Sequence, residues 1–152
     1  MLIKEQQEFK NKHYSEATRY MDNAKDYLKQ AKKEGKFYSD AKYVRTACGT
    51  AYNGVLIALD AFLTLKGIKL PDGKNKRKSI EIYQHNVSNI DKKLSKNLDC
   101  VYKVLHLGGY YDGILKVDVI KSGFEDAQII INKIKPANGQ IKNKTYINNV
   151  NN

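Results

Sequence analysis

The chain has 152 residues, two cysteines, no tryptophan and a formal charge of +11, from 27 lysines and arginines against 16 acids. That length suits one domain whose core covers about 70% of the unfolded surface. Cys48 and Cys100, with no CxxC pair and no visible signal peptide, argue against a disulfide scaffold and a metal site; two free, helix-buried thiols in a cytoplasmic protein are expected, with a bridge between them as the alternative.

Lys4 to Glu34 reads as a first helix, because His13, Ala17, Tyr20, Ala24, Tyr27 and Ala31 recur every three or four positions as one inward seam. Gly35 ends it, and the short turn Lys36 to Ser39 makes the next helix its antiparallel neighbour. That second helix, Asp40 to Gly67, is the centre of the chain. On a helical projection Val44, Cys48, Tyr52, Val55, Leu59 and Phe62 form a stripe of large groups. Ala47, Ala51, Gly54, Ala58 and Ala61 form a stripe of small ones. Only a narrow seam is polar: Lys42, Thr46, Asn53, Asp60 and Thr64. A helix apolar over most of its circumference packs against several partners, and the small stripe lets one backbone come close. Ser39 and Asp40 mark its start and Gly67 its left-handed end. A membrane span is the rival reading of this run, but Asn53 and Asp60 interrupt it and the clean stretch falls short of the roughly 20 residues a bilayer needs. No membrane partner is expected.

Ile68 to Lys78 reads as a loop built on Pro71, Asp72 and Gly73. Lys66, Lys69, Lys74, Lys76, Arg77 and Lys78 make this the sharpest concentration of positive charge in the chain. Lys74, Lys76, Arg77 and Lys78 are therefore candidate phosphate contacts; a solvated loop is the plainer reading. Ser79 opens a third helix with Ile80, Tyr83, Val87 and Ile90 inward. A break near Ser88 to Asp91 leads to a fourth helix, Asp91 to Leu107, with Leu94, Leu98, Val101 and Leu105 inward. Gly108 and Gly109 stop or kink it. A last helix runs from Val117 to Lys135 on Ile120, Phe124, Ala127, Ile131 and Ile134, and Pro136 ends it. No strand of useful length alternates. The whole is an all-α, up-and-down bundle of four to five helices over residues 1–136. A flexible basic and asparagine-rich tail covers 137–152.

The stretches AYNGVLIALDAFLTLKG, SIEIYQHNVSNI and VLHLGGYYDG, in that order around a basic loop, resemble the HEPN superfamily, and more closely a small bacterial group of uncharacterised HEPN-like bundles. The resemblance covers Tyr14 to Lys135. It implies a four- or five-helix bundle, frequent homodimers, and association with RNA or nucleotides, often in defence or toxin–antitoxin systems. Ribonucleases of that superfamily carry an arginine followed by a histidine after four to six intervening residues. Here the permitted positions after Arg45 hold Thr50, Ala51 and Tyr52, and those before His106 hold Asp99, Cys100 and Val101. The resemblance places its site-bearing helix end at His106 to Asp112.

The candidate catalytic residues are accordingly Arg45, His106 and Asp112. A histidine in reach of an aspartate is an oriented base; a histidine at a helix end also simply packs there. Arg45 reads as an ion-pair partner for a carboxylate such as Asp112. Asn53 and Asp60 either bond across helices or line a small cleft. With the ribonuclease spacing absent, the expected function is a non-catalytic helical interaction module, dimeric or bound to a partner protein, without cofactor or metal. An RNA- or nucleotide-binding protein is the alternative, and a degenerate metal-independent ribonuclease the third reading.

Overall fold

The computed structural model describes residues 1–71 and 79–137. Five α-helices follow one another: α1 (Ile3–Gln30), α2 (Ala41–Leu65), α3 (Ile80–Ile90), α4 (Lys92–Val101) and α5 (Val117–Asn132). A π-helical segment, Tyr102–Asp112, continues α4 without a break. The expected all-α bundle is therefore the fold. The expected break between the third and fourth helices is real: Asp91 ends α3, and its carboxylate accepts the Leu94 N–H at 3.0 Å to start α4.

α2 packs against α1, α5 and the π segment at once. Both of its apolar stripes are buried from Val44 to Phe62. The small stripe meets α1, where a methyl added at Gly54 would lie 3.2 Å from the Ala17 carbonyl oxygen and from Tyr20 Cβ. Alanine and glycine at these positions bring the two backbones into contact, which a leucine would prevent. By length and composition α2 could cross a bilayer, yet its most apolar stretch is 56% buried inside the bundle. Asp40 caps it through the Lys42 N–H, taking the place expected of Ser39, and Gly67 turns left-handed at φ +81°.

The first helix ends at Gln30, four residues before the expected Glu34. Lys33–Glu34 and Phe37–Tyr38 pair antiparallel as β1 and β2 around a left-handed Gly35. The hairpin is stitched to the segment before α5, since Tyr38 N donates to Leu115 O (2.8 Å) and Val117 N to Lys36 O (3.0 Å). Local periodicity saw no strand here because two-residue strands have no period to read; the backbone bonds are made to a segment nearly eighty residues away. Along α1 the seam keeps Ala17, Ala24 and Ala31 but turns to Met21, leaving Tyr27 exposed. Leu94, Leu98, Val101, Leu105, Ile120, Phe124, Ala127, Ile131 and Ile134 are buried as expected. Cys48 is buried, whereas Cys100 is exposed on α4, so only one of the two expected buried thiols is so; both are free.

Candidate functional site

Gly108 and Gly109 do not stop the helix. They widen it. Both are buried, and a methyl at Gly109 would run into Cys48 Sγ and Cβ, while one at Gly108 would lie 2.9 Å from Ile114 Cδ1. Gly109 therefore lets the π segment lie directly on α2, and Gly108 lets the coil close against Ile114. Wide i→i+5 turns are rare and recur at functional sites. The segment closes at Gly113, left-handed at φ +70°, whose N–H bonds to the Gly108 carbonyl.

In this coil Tyr102, His106 and Tyr110, spaced by four, line up as a column of rings. Tyr102 and His106 stack at 5.4 Å and 24°, His106 and Tyr110 at 6.1 Å and 15°. From α2, Tyr52 stacks on the imidazole at 4.4 Å and 26°. Tyr111 meets it edge-on at 5.1 Å and 89°. His106 thus sits among four tyrosines, each ring pair adding about 0.5–1.5 kcal/mol beyond its buried area. Burial holds the His106 pKa below its usual 6.5, favouring the neutral ring. Burial, with Tyr102 and Glu81 nearby, pushes the Tyr52 hydroxyl up to about 12. Burial alone pushes the Cys48 thiol up to about 12, which makes it an inert core group.

Arg45 fastens the far end of the column. Its Nη1 donates to the Tyr110 carbonyl at 2.8 Å and to the Tyr111 carbonyl at 2.7 Å. The guanidinium lies over Gly113, where any side chain would displace it. The expected Arg45–Asp112 ion pair is not formed: the guanidinium instead satisfies carbonyls that a helix end leaves open. Asp112 is exposed, and among the described residues no hydrogen bond joins it to His106. The structure brings Arg45 and His106 together and leaves Asp112 outside.

Between α2 and the π segment runs an open groove of about 540 Å³ lined by Arg45, Thr46, Gly49, Thr50, Tyr52, Asn53, His106, Tyr110 and Tyr111. Among the described residues, Arg45 is its one charged lining residue. Tyr110 (45% exposed) and Tyr111 (60%) stand at its edge. Thr46 and Asn53 belong to the polar seam seen in the sequence, whose purpose a helical projection alone could not give; Thr50, which that seam did not include, joins them in the groove wall. Asp60, on the same seam, bonds across helices instead, accepting the Tyr83 hydroxyl at 2.7 Å. Tyr52, Tyr102, Tyr110 and Tyr111 were not among the sequence candidates; the four-residue spacing of Tyr102, His106 and Tyr110 was the available signal. A smaller hollow of about 220 Å³ lies beside Lys12, His13, Glu16, Ile57 and Asp60. Among the described residues no group of three histidines, cysteines or acids can hold a metal. Lys74, Lys76, Arg77 and Lys78, and the tail from residue 138, lie outside the described residues.

No curated protein matches the chain. A solved structure, a protein of unknown function from Dyadobacter fermentans, is similar over 82% of this chain and 94% of its own, with 40% sequence identity and a TM-score of 0.72. The family model described as a domain of unknown function, DUF5618, matches residues 12–136. This chain, from the middle of α1 through the π segment to the end of α5, belongs to the DUF5618 family.

Proposed function

We propose that this protein is a non-catalytic binding module whose groove between α2 and the π segment takes a nucleotide unit, free or within single-stranded RNA. The observation that carries this reading is the His106 column: stacked rings with two half-exposed tyrosines at the edge, and the charge of Arg45 beside them. Aromatic faces take bases of any identity, at about 1–3 kcal/mol per stacked base, and a guanidinium attracts phosphate. The net charge of +11 adds a long-range attraction for polyanions. The absence of catalysis is supported by the setting of His106. Rings cover the imidazole, and among the described residues no carboxylate bonds to it to orient it as a base. The HEPN resemblance agrees with RNA as ligand.

The test is fluorescence anisotropy of labelled ten-nucleotide RNA with the full chain, in rising salt. Binding that weakens steeply with salt is expected, with Tyr111→Ala and Arg45→Ala each losing about tenfold. RNA recovered intact from the mixture is expected as well. No binding at low salt refutes the reading, and cleavage that disappears in His106→Ala refutes its non-catalytic part.

A second reading, self-association as a homodimer, rests on exposed Leu107, Tyr110 and Tyr111, which crowd one short segment. Light scattering on concentrated protein decides it: a monomer removes the homodimer.

A further inference from the structure

The groove floor has a fixed hydrogen-bonding polarity, and it runs along one strip of α2. Thr46 Oγ1 donates to the Lys42 carbonyl at 2.9 Å, and Thr50 Oγ1 donates to the Thr46 carbonyl at 2.8 Å. A hydroxyl has one proton and two lone pairs. With both protons committed to the helix backbone, Thr46 and Thr50 offer the groove acceptors only. Asn53 follows Thr50 by three residues on the same strip. It is exposed, and among the described residues its side chain makes no hydrogen bond, so its amide can give one proton and take another. Opposite this strip, the Tyr110 ring packs over Gly49, the residue before Thr50. A planar base laid against the tyrosines would therefore turn its edge toward Thr50 and Asn53.

We propose that Asn53 and Thr50 read the base edge, and that the groove selects bases whose exocyclic amine stands beside a ring-nitrogen acceptor: adenine foremost, then cytosine. This deepens the nucleotide-binding reading above and rests on it. In adenine the amine gives one proton to Asn53 Oδ1 and the second to Thr50 Oγ1, while the adjacent ring nitrogen accepts from Asn53 Nδ2. The asparagine–adenine pair is a recurrent bidentate match. Asn53 alone would not exclude uracil, since an amide can rotate to present the opposite pattern. Thr50 provides the exclusion. Its lone pairs would face the uracil carbonyl oxygen, and its own proton is held by the Thr46 carbonyl. Guanine meets the same obstacle on its carbonyl edge, and carries an amine beside a ring-nitrogen acceptor only on the edge next to its sugar. The stacking rings hold any base; the strip on α2 chooses among them.

The experiment compares labelled A10 and U10 RNA, with AMP and UMP as unlabelled competitors, on the intact chain and on Asn53→Ala and Thr50→Val. Thr50→Val keeps the side-chain shape and removes the acceptor. On the intact chain A10 is expected to bind about tenfold tighter than U10. Both variants should bring the two RNAs within about twofold, chiefly by loss of A10 affinity in Asn53→Ala and by gain of U10 affinity in Thr50→Val. Circular dichroism melts on these surface variants should match the intact chain. Equal binding of A10 and U10 by the intact chain overturns the inference and leaves nucleotide binding standing. Failure of both RNAs to bind at low salt overturns nucleotide binding itself. Retention of the adenine preference in both variants overturns the assignment to Asn53 and Thr50. AMP competing as well as its share of A10 assigns the site to a free nucleotide; competition by A10 alone assigns it to a strand.

Discussion

One helix, α2, presents two opposite kinds of surface. Toward α1 it shows Ala47, Ala51, Gly54, Ala58 and Ala61, all buried, and the neighbouring backbone closes on them. Toward the π segment it shows Arg45, Thr46, Gly49, Thr50 and Asn53, and the approach stays open as a groove. Both faces use a glycine, but for different purposes. Gly54 makes room for backbone, the Ala17 carbonyl; Gly49 makes room for a side chain, the Tyr110 ring. A face closed by backbone leaves no play, whereas a face closed by a half-exposed ring can yield to a ligand. Packing and binding are thus divided between the two sides of a single element.

The comparison can be broken first where the π segment is seated. Gly109→Ala should be the most damaging of the small substitutions. Its methyl runs into Cys48 Sγ in the fully buried core, and overpacking of that kind costs about 2–3 kcal/mol. Urea denaturation reads the loss, and pairing it with Cys48→Ala should recover part of it, because the closest approach is to the cysteine Sγ. An unchanged midpoint for Gly109→Ala would mean that Gly109 does not hold the segment on α2.

A smaller effect separates the two glycines of α2. Replacing glycine by alanine in a helix gains about 1 kcal/mol by propensity alone. At Gly54 the new methyl meets backbone at 3.2 Å, so the net should be a loss of about 1 kcal/mol. At Gly49 it meets the Tyr110 ring at 3.1 Å, which can swing outward, so the protein should be equally or more stable and bind RNA less well. Thermal melts of the two variants together with their RNA affinities check this. If both behave alike, the two faces are not different in kind.

The smallest effect concerns pH. The folded pKa of His106 lies below the unfolded 6.5, so the unfolded chain binds the proton more readily. The stability tied to the neutral ring is complete above about 6.5 and is lost as pH falls from there through the folded value. A melting temperature that drops on acidification from pH 7 should drop less in His106→Phe, which keeps a ring in the column. Parallel curves for the two proteins would show that the column does not disfavour the charged imidazole.

The bundle itself was legible because helical burial has a period. Val44 to Phe62 on α2, Leu94 to Leu105, and Ile120 to Ile134 all repeat at helical spacing, and each proved buried. Arg45 and His106 were legible as candidates, though as members of a linear motif that the chain lacks. Their meeting in one groove was not legible, since 61 positions separate them. Asp112 was the plausible partner for both and is partner to neither. A charge pair is the simplest inference from sequence, but a helix end offers carbonyls at shorter reach, and Arg45 takes two of them.

What the amino-acid order determined alone is the set of helices, their order and the buried stripes of α2, α4 and α5, because these follow from local periodicity and from end signals such as Asp91 and Gly67; on α1 and α3 Tyr27 and Ile90, expected inward, are exposed. It also set the small-residue face of α2, since only residue size is needed to know that a backbone can come close there. The tertiary structure decided the rest. It carried the helix on through Gly108 and Gly109 as a widened coil, with Cys48 and Ile114 packed so close that neither position has room for a side chain. It stacked Tyr52 on His106, and it gave the polar seam of α2 a groove to face. These outcomes depend on which surfaces meet, and a meeting between elements far apart in sequence is set by the packing of the whole chain.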